Sequence, residues 1–107
     1  MKVLIAILIF IHGSIHLFGF AKAFKLTQIE QFSTHISKLQ GVFWFITFLM
    51  FAYTGEALLV ENAFWPWTAF TAVLLSTRLI FTVWKDAKYG VIPNVIILLA
   101  ALFHYLS

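Results

Sequence analysis

Two histidines four residues apart, in His12-Gly13-Ser14-Ile15-His16, are the residues of this chain best suited to chemistry. On a helix that spacing puts both imidazoles on one face, about 6 Å apart. Two ligands of a single metal ion need such a separation. The same pair can instead hydrogen-bond across helices and hold a bundle together. Both readings stay open on the residues alone. A second group lies further on, where Thr71, Arg78, Thr82 and Lys85 follow spacings of 7, 4 and 3 and so form one polar stripe on a helix. Placing that stripe against the histidine face keeps both from lipid, so His12, His16, Arg78 and Thr82 are the candidate ligand-binding set, with His12 and His16 as candidate metal ligands. Glu56 and His104 fall at a common depth and form a candidate pair. Asp86 and Asn94 flank a turn marked by Gly90 and Pro93 and complete the secondary candidates.

Some chemistry is excluded. There is no cysteine, so disulfides, thiolate metal sites and thiol catalysis are absent. With only Met1 and Met50, a soft Cu(I) site is disfavoured. No nucleophile motif or glycine-rich phosphate loop occurs, and no residue is assigned a catalytic role.

The elements that must position these residues are apolar. Hydrophobic residues make up 63% of the 107 residues and charged ones 10%, with a mean hydropathy of +0.99. Soluble domains carry roughly 25% charged residues because their surface faces water. This surface must face lipid. Four apolar runs, over 3–21, 42–60, 65–83 and 90–106, approach the roughly 20 residues a helix needs to cross a bilayer. Strand alternation is absent, so the spans read as helices and not as a barrel. The first run shares features with a signal peptide, including Lys2 and Ala21-Lys22-Ala23, but its apolar stretch is too long and Lys22 suits cleavage poorly. It reads as a retained span. The chain is therefore expected to be a single all-α domain, an integral membrane four-helix bundle.

The long first connection carries Thr27-Gln28-Ile29-Glu30, a capping-box pattern. Ile29, Phe32, Ile36 and Leu39 then recur at helical spacing among polar residues, which predicts a short amphipathic helix on the membrane surface between the first and second spans. The net charge of +3 does not signal nucleic acid, because the charges sit at the ends of the apolar runs.

The segments His12-Gly13-Ser14-Ile15-His16-Leu17-Phe18-Gly19-Phe20-Ala21-Lys22-Ala23 and Trp84-Lys85-Asp86-Ala87-Lys88-Tyr89-Gly90 resemble a group of small bacterial four-helix membrane proteins of no assigned activity. The resemblance implies a bacterial inner-membrane setting and four helices, and it supplies no catalytic residue. Leu39 stands where that group has a proline before the second span.

Three functions are open to such a chain. It can bind or translocate a small ligand, ion or proton at an intramembrane His/Arg site. It can be an accessory subunit, the bilayer and a larger complex or a second copy being its partners. It can be a redox protein whose histidines contact haem or quinone, although a bis-histidine haem needs histidines from two helices. Lys22, Lys25, Lys38, Lys85 and Lys88 lie on the side of the first and third connections, against Lys2 alone on the other, where Glu56 and Glu61 also lie. The positive-inside rule then puts both termini outside. Reporter fusions at Ser107 check this: activity is expected only for a reporter that functions outside the cytoplasm.

Overall fold

The computed structural model describes residues 2–24 and 36–106, apart from the side chain of Asp86. The described residues are helical, with no β structure among them. Four long helices dominate: α1 (Lys2–Ala23), α2 (Lys38–Leu59), α3 (Trp65–Thr82) and α5 (Val91–Leu106). A four-residue helix, α4 (Trp84–Ala87), and a 3-10 turn (Lys88–Gly90) join the last two. α1 packs on α2, α2 on α3, α3 on α5, and α5 returns to α1. The bundle measures 41 × 21 × 21 Å, which matches a bilayer of about 40–45 Å including headgroups.

α1, α2 and the segment Lys88–Leu106 are each long and apolar enough to cross a membrane. This is a multi-pass membrane protein. α3 is more polar, because Arg78 and four threonines interrupt its apolar residues. It takes its place by packing.

The start of α2 is set by local chemistry. Ser37 Oγ accepts from the Gln40 amide at 3.2 Å, and Gln40 Oε1 accepts from the Ser37 amide at 3.1 Å. This reciprocal cap satisfies two orphan donors and starts the helix four residues before the apolar run at 42. Leu39 therefore belongs to the first turn of α2, while Ile36 is buried just ahead of it and is not helical. The amphipathic surface helix expected over these positions does not extend this far. Its remainder, with the Thr27 cap, lies outside the described residues.

α2 ends in a tight reversal. The Asn62 amide donates to the Ala57 carbonyl at 2.9 Å and the Glu61 amide to the Leu58 carbonyl at 3.1 Å. This 6→1 and 5→2 pairing needs a left-handed residue, a place glycine usually fills. Here it is Glu61, at φ 60°. Its carboxylate meets Lys2 Nζ at 2.6 Å, tying the start of α1 to the hairpin. The hydrogen bond and charge of Lys2 hold the Glu61 carboxyl below its ordinary value of 4.5. The bridge therefore contributes fully above that pH and is lost as pH falls through the depressed value. Both groups face solvent, so its weight is small.

Close approach of α1 and α2 depends on glycine. A Cβ on Gly13 would lie 2.6 Å from Phe51 Cβ, and one on Gly55 2.6 Å from the Phe10 ring. Gly19 sits flat beneath the Trp44 indole. Small residues matter more in lipid than in water, since apolar solvent gives helices little reason to associate except tight packing. The outward faces carry Leu74, Phe81, Ile92 and Phe103, each more than half exposed. Such a surface suits lipid.

Gly13→Ala is expected to lower stability by about 1–3 kcal/mol, because Phe51 Cβ lies against its own backbone and cannot swing aside. Gly90→Ala should cost less, since its new Cβ meets the flexible end of Ile80 at 3.0 Å. Thermal melting of both variants in one detergent checks the order.

Candidate functional site

Four polar side chains from three helices meet in the middle of the bundle. α1 supplies His12 and His16, 3% and 1% exposed; α3 supplies Ser76, and α5 supplies Asn94. The four-residue spacing of the histidines puts both on the inner face of α1, as expected. The two rings stand edge to face, 5.0 Å between centroids. Phe51 packs against both, at 5.1 Å and 5.2 Å, and Trp44 lies 5.4 Å from His16. These aromatic groups cover the histidine face on the α2 side.

The hydrogen bonds form a directed ring. His16 Nδ1 lies 3.0 Å from the His12 carbonyl, which can only accept, so Nδ1 carries the proton. In the neutral imidazole, His16 Nε2 is then an acceptor, and Ser76 Oγ–H donates to it at 2.7 Å. Having given its only proton, Ser76 Oγ accepts from Asn94 Nδ2 at 2.9 Å. The amide's other nitrogen proton leans toward Thr77 Oγ1 at 3.3 Å. Asn94 Oδ1 thus accepts from His12 Nε2–H at 2.7 Å, which closes the circuit on His12. Reversing the amide would set Asn94 Oδ1 and His16 Nε2 in competition for the single Ser76 proton, so the network itself favours this orientation of Asn94. A single acceptor remains. His12 Nδ1 is buried without a hydrogen-bond partner.

Beside this network lies a cavity of about 320 Å³. His12, His16 and Trp44 form part of its wall, and Phe18, Tyr89 and Pro93 contribute apolar and aromatic surface. The His12 ring presents Cε1, the neighbour of Nδ1, toward Gly90, at 3.7 Å from where a Gly90 Cβ would stand. Gly90 also lines the cavity.

The other sequence candidates lie elsewhere. Arg78 is exposed, and it lines a separate groove with Gln40, Phe43 and Thr82. Thr71, Arg78 and Thr82 of α3 are all exposed, and Lys85 is exposed too but lies past the break at Val83, in α4, so the expected stripe does not continue to it. Arg78 follows Ser76 by two residues, about 200° around a helix, so the two cannot both face α1. The expected His16–Arg78 apposition is therefore corrected to His16–Ser76. Thr82 Oγ1 donates to the Leu79 carbonyl at 2.6 Å. Glu56 and His104 are both exposed, and the His104 ring lies 5.4 Å from Trp65. The Asp86 side chain lies outside what is described. Asn94, a secondary candidate beside the turn, is the hub of the site.

Metal ligation is poorly served by this arrangement. Three of the four imidazole nitrogens are engaged, and no group of three or more His, Cys, Asp or Glu able to hold a metal ion occurs among the described residues. Ser76 was missed because, next to Thr77 and Arg78, it is the least conspicuous polar residue of its segment. The signal for it is the row Ala69, Ala72, Val73 and Ser76, small buried residues at helical spacing that mark the inner face of α3.

Asn94→Leu is expected to destabilise the protein by about 1–3 kcal/mol, because it strands the His12 N–H and leaves Ser76 without its donor. Combining it with His12→Phe should recover part of the loss, since both partners are then apolar. A double-mutant cycle on melting in detergent measures the coupling, expected near 1 kcal/mol from interhelical hydrogen bonds in membranes.

No protein-family model, curated protein or solved structure matches this chain. Four long helices are present, three of the spans being long and apolar enough to cross a membrane, and two buried histidines of α1 hydrogen-bond to α3 and α5.

Proposed function

We propose that this membrane protein binds a small, largely apolar molecule drawn from the bilayer, in the cavity beside His12. The molecule carries one hydrogen-bond donor, as a phenol or a hydroquinone does. The observation that carries this reading is His12 Nδ1, a buried acceptor without a partner on a residue of the cavity wall. A buried acceptor left unpaired costs about 1–3 kcal/mol, which a donor from a ligand would recover. The apolar and aromatic remainder of the wall suits a ring or short hydrocarbon body.

Ion or proton passage has less support. The hydrogen-bond circuit closes on itself, and Arg78 lies on another face of the bundle. The accessory-subunit reading is the second one, and the closed circuit favours it, because such a network can serve packing alone. In either case we place the lysine-rich end in the cytoplasm of a bacterial cell, with both termini outside. The orientation rests on charge asymmetry, and the bacterial setting on the resemblance of the histidine and Trp84–Gly90 segments.

A matched pair of probes tests the reading: an alkylphenol and its methyl ether, each titrated into detergent-solubilised protein and followed by thermal shift. The phenol should raise Tm in a saturable way, and the ether should bind about tenfold more weakly or worse, since it leaves Nδ1 unpaired. Ile15→Trp, which adds bulk to the cavity wall, should abolish the phenol response while leaving the histidine network in place. Equal binding of the two probes refutes the donor requirement. No binding of either leaves the accessory role as the better account.

A further inference from the structure

Arg78 poses a problem that the histidine site does not solve. It lies four residues before the end of α3, about 6 Å from that end along the helix axis. Its side chain is exposed on the lipid-facing surface, and no hydrogen bond or ion pair holds it among the described residues. A guanidinium at the edge of the hydrocarbon region without a protein partner must find an anion or water. Its stem is long enough to reach the headgroup layer from there.

The surroundings narrow the choice. Arg78 lines a groove of about 310 Å³ between α2 and α3, with Gln40 and Thr82 at its polar end and Phe43, Leu75 and Leu79 as its apolar walls. Gln40 spends its carbonyl on the Ser37 amide, which leaves its NH₂ group as a donor. The same end of the bundle carries Lys22, Lys38, Lys85 and Lys88. Cationic and neutral donors thus stand above an apolar slot, and no acidic side chain lines it among the described residues.

We propose that this groove is a binding site for an anionic phospholipid. The phosphate pairs with the Arg78 guanidinium and the Gln40 amide, and an acyl chain lies along Phe43, Leu75 and Leu79. Arginine suits the role because its planar fork can meet two phosphate oxygens at once. This site is independent of the His12 cavity, so either can fail without the other.

Native mass spectrometry of the detergent-solubilised protein, titrated with phosphatidylglycerol or phosphatidylcholine, tests the proposal. The wild type should retain one phosphatidylglycerol and about tenfold less phosphatidylcholine. Arg78→Leu should lose that preference, and Arg78→Lys should keep only part of it. Leu75→Trp, which obstructs the slot but keeps the charge, should lose the bound lipid. Lys85→Gln, at the same end but outside the groove, should retain it. Far-ultraviolet circular dichroism and melting confirm that each variant is folded, and Arg78→Gln replaces the leucine variant if that one is not. The proposal is overturned if the two lipids are retained alike, if Arg78→Leu or Arg78→Gln binds as the wild type does, or if Leu75→Trp keeps its lipid. Inorganic phosphate that competes at the lipid's own concentration would also overturn it, by showing a free-anion site with no use for the slot.

Discussion

The polar interior of this bundle answers to one constraint: a group shut away from water needs a partner, and here nearly every one comes from the protein. The circuit running from His12 through Asn94 and Ser76 to His16 is the most complete answer. It draws on α1, α3 and α5, and no two of those helices could close it alone. Thr47 and Thr54 meet the same demand within α2, bonding back to the carbonyls of Phe43 and Met50 at 2.7 Å. The Thr54 and Thr68 hydroxyls also lie 2.9 Å apart and link α2 to α3.

Packing and polarity divide the work between helix pairs. α1 and α2 share glycines and large aromatic side chains, and their contact is a close fit of Phe51 and Trp44 onto Gly13 and Gly19. α1 also turns its two histidines toward α3 and α5. Phe51 belongs to both arrangements, since it fills the space over Gly13 and packs on both imidazoles. A shift of α2 relative to α1 would therefore disturb the hydrogen-bond circuit, although α2 contributes no hydrogen bond to it.

The network's direction of donation has a chemical consequence. Because each neutral imidazole offers one N–H and one lone pair, placing the proton at His16 Nδ1 determines every other proton in the circuit. The one atom left over is an acceptor. A group that can only accept gains nothing at that atom, whereas a donor would pair with it.

The sequence by itself determined the class of molecule, the four apolar runs and the inward histidine face. Each of these follows from composition or from the 3.6-residue period, which act within one helix. It did not determine which polar residues would meet. Arg78, the most conspicuous group in the third run, faces outward, and the plain Ser76 two positions earlier faces in. Asn94, only a secondary candidate beside the turn at Pro93, is the hub, because α5 begins at Val91 and carries it one turn into the bundle. Helix rotation is decided by the fit between helices, here by Ala69, Ala72 and Ser76 meeting their neighbours closely, and no single helix carries that information. The cavity beside His12 is likewise a product of assembly, since its wall takes residues from α1, α2, α3 and the turn before α5.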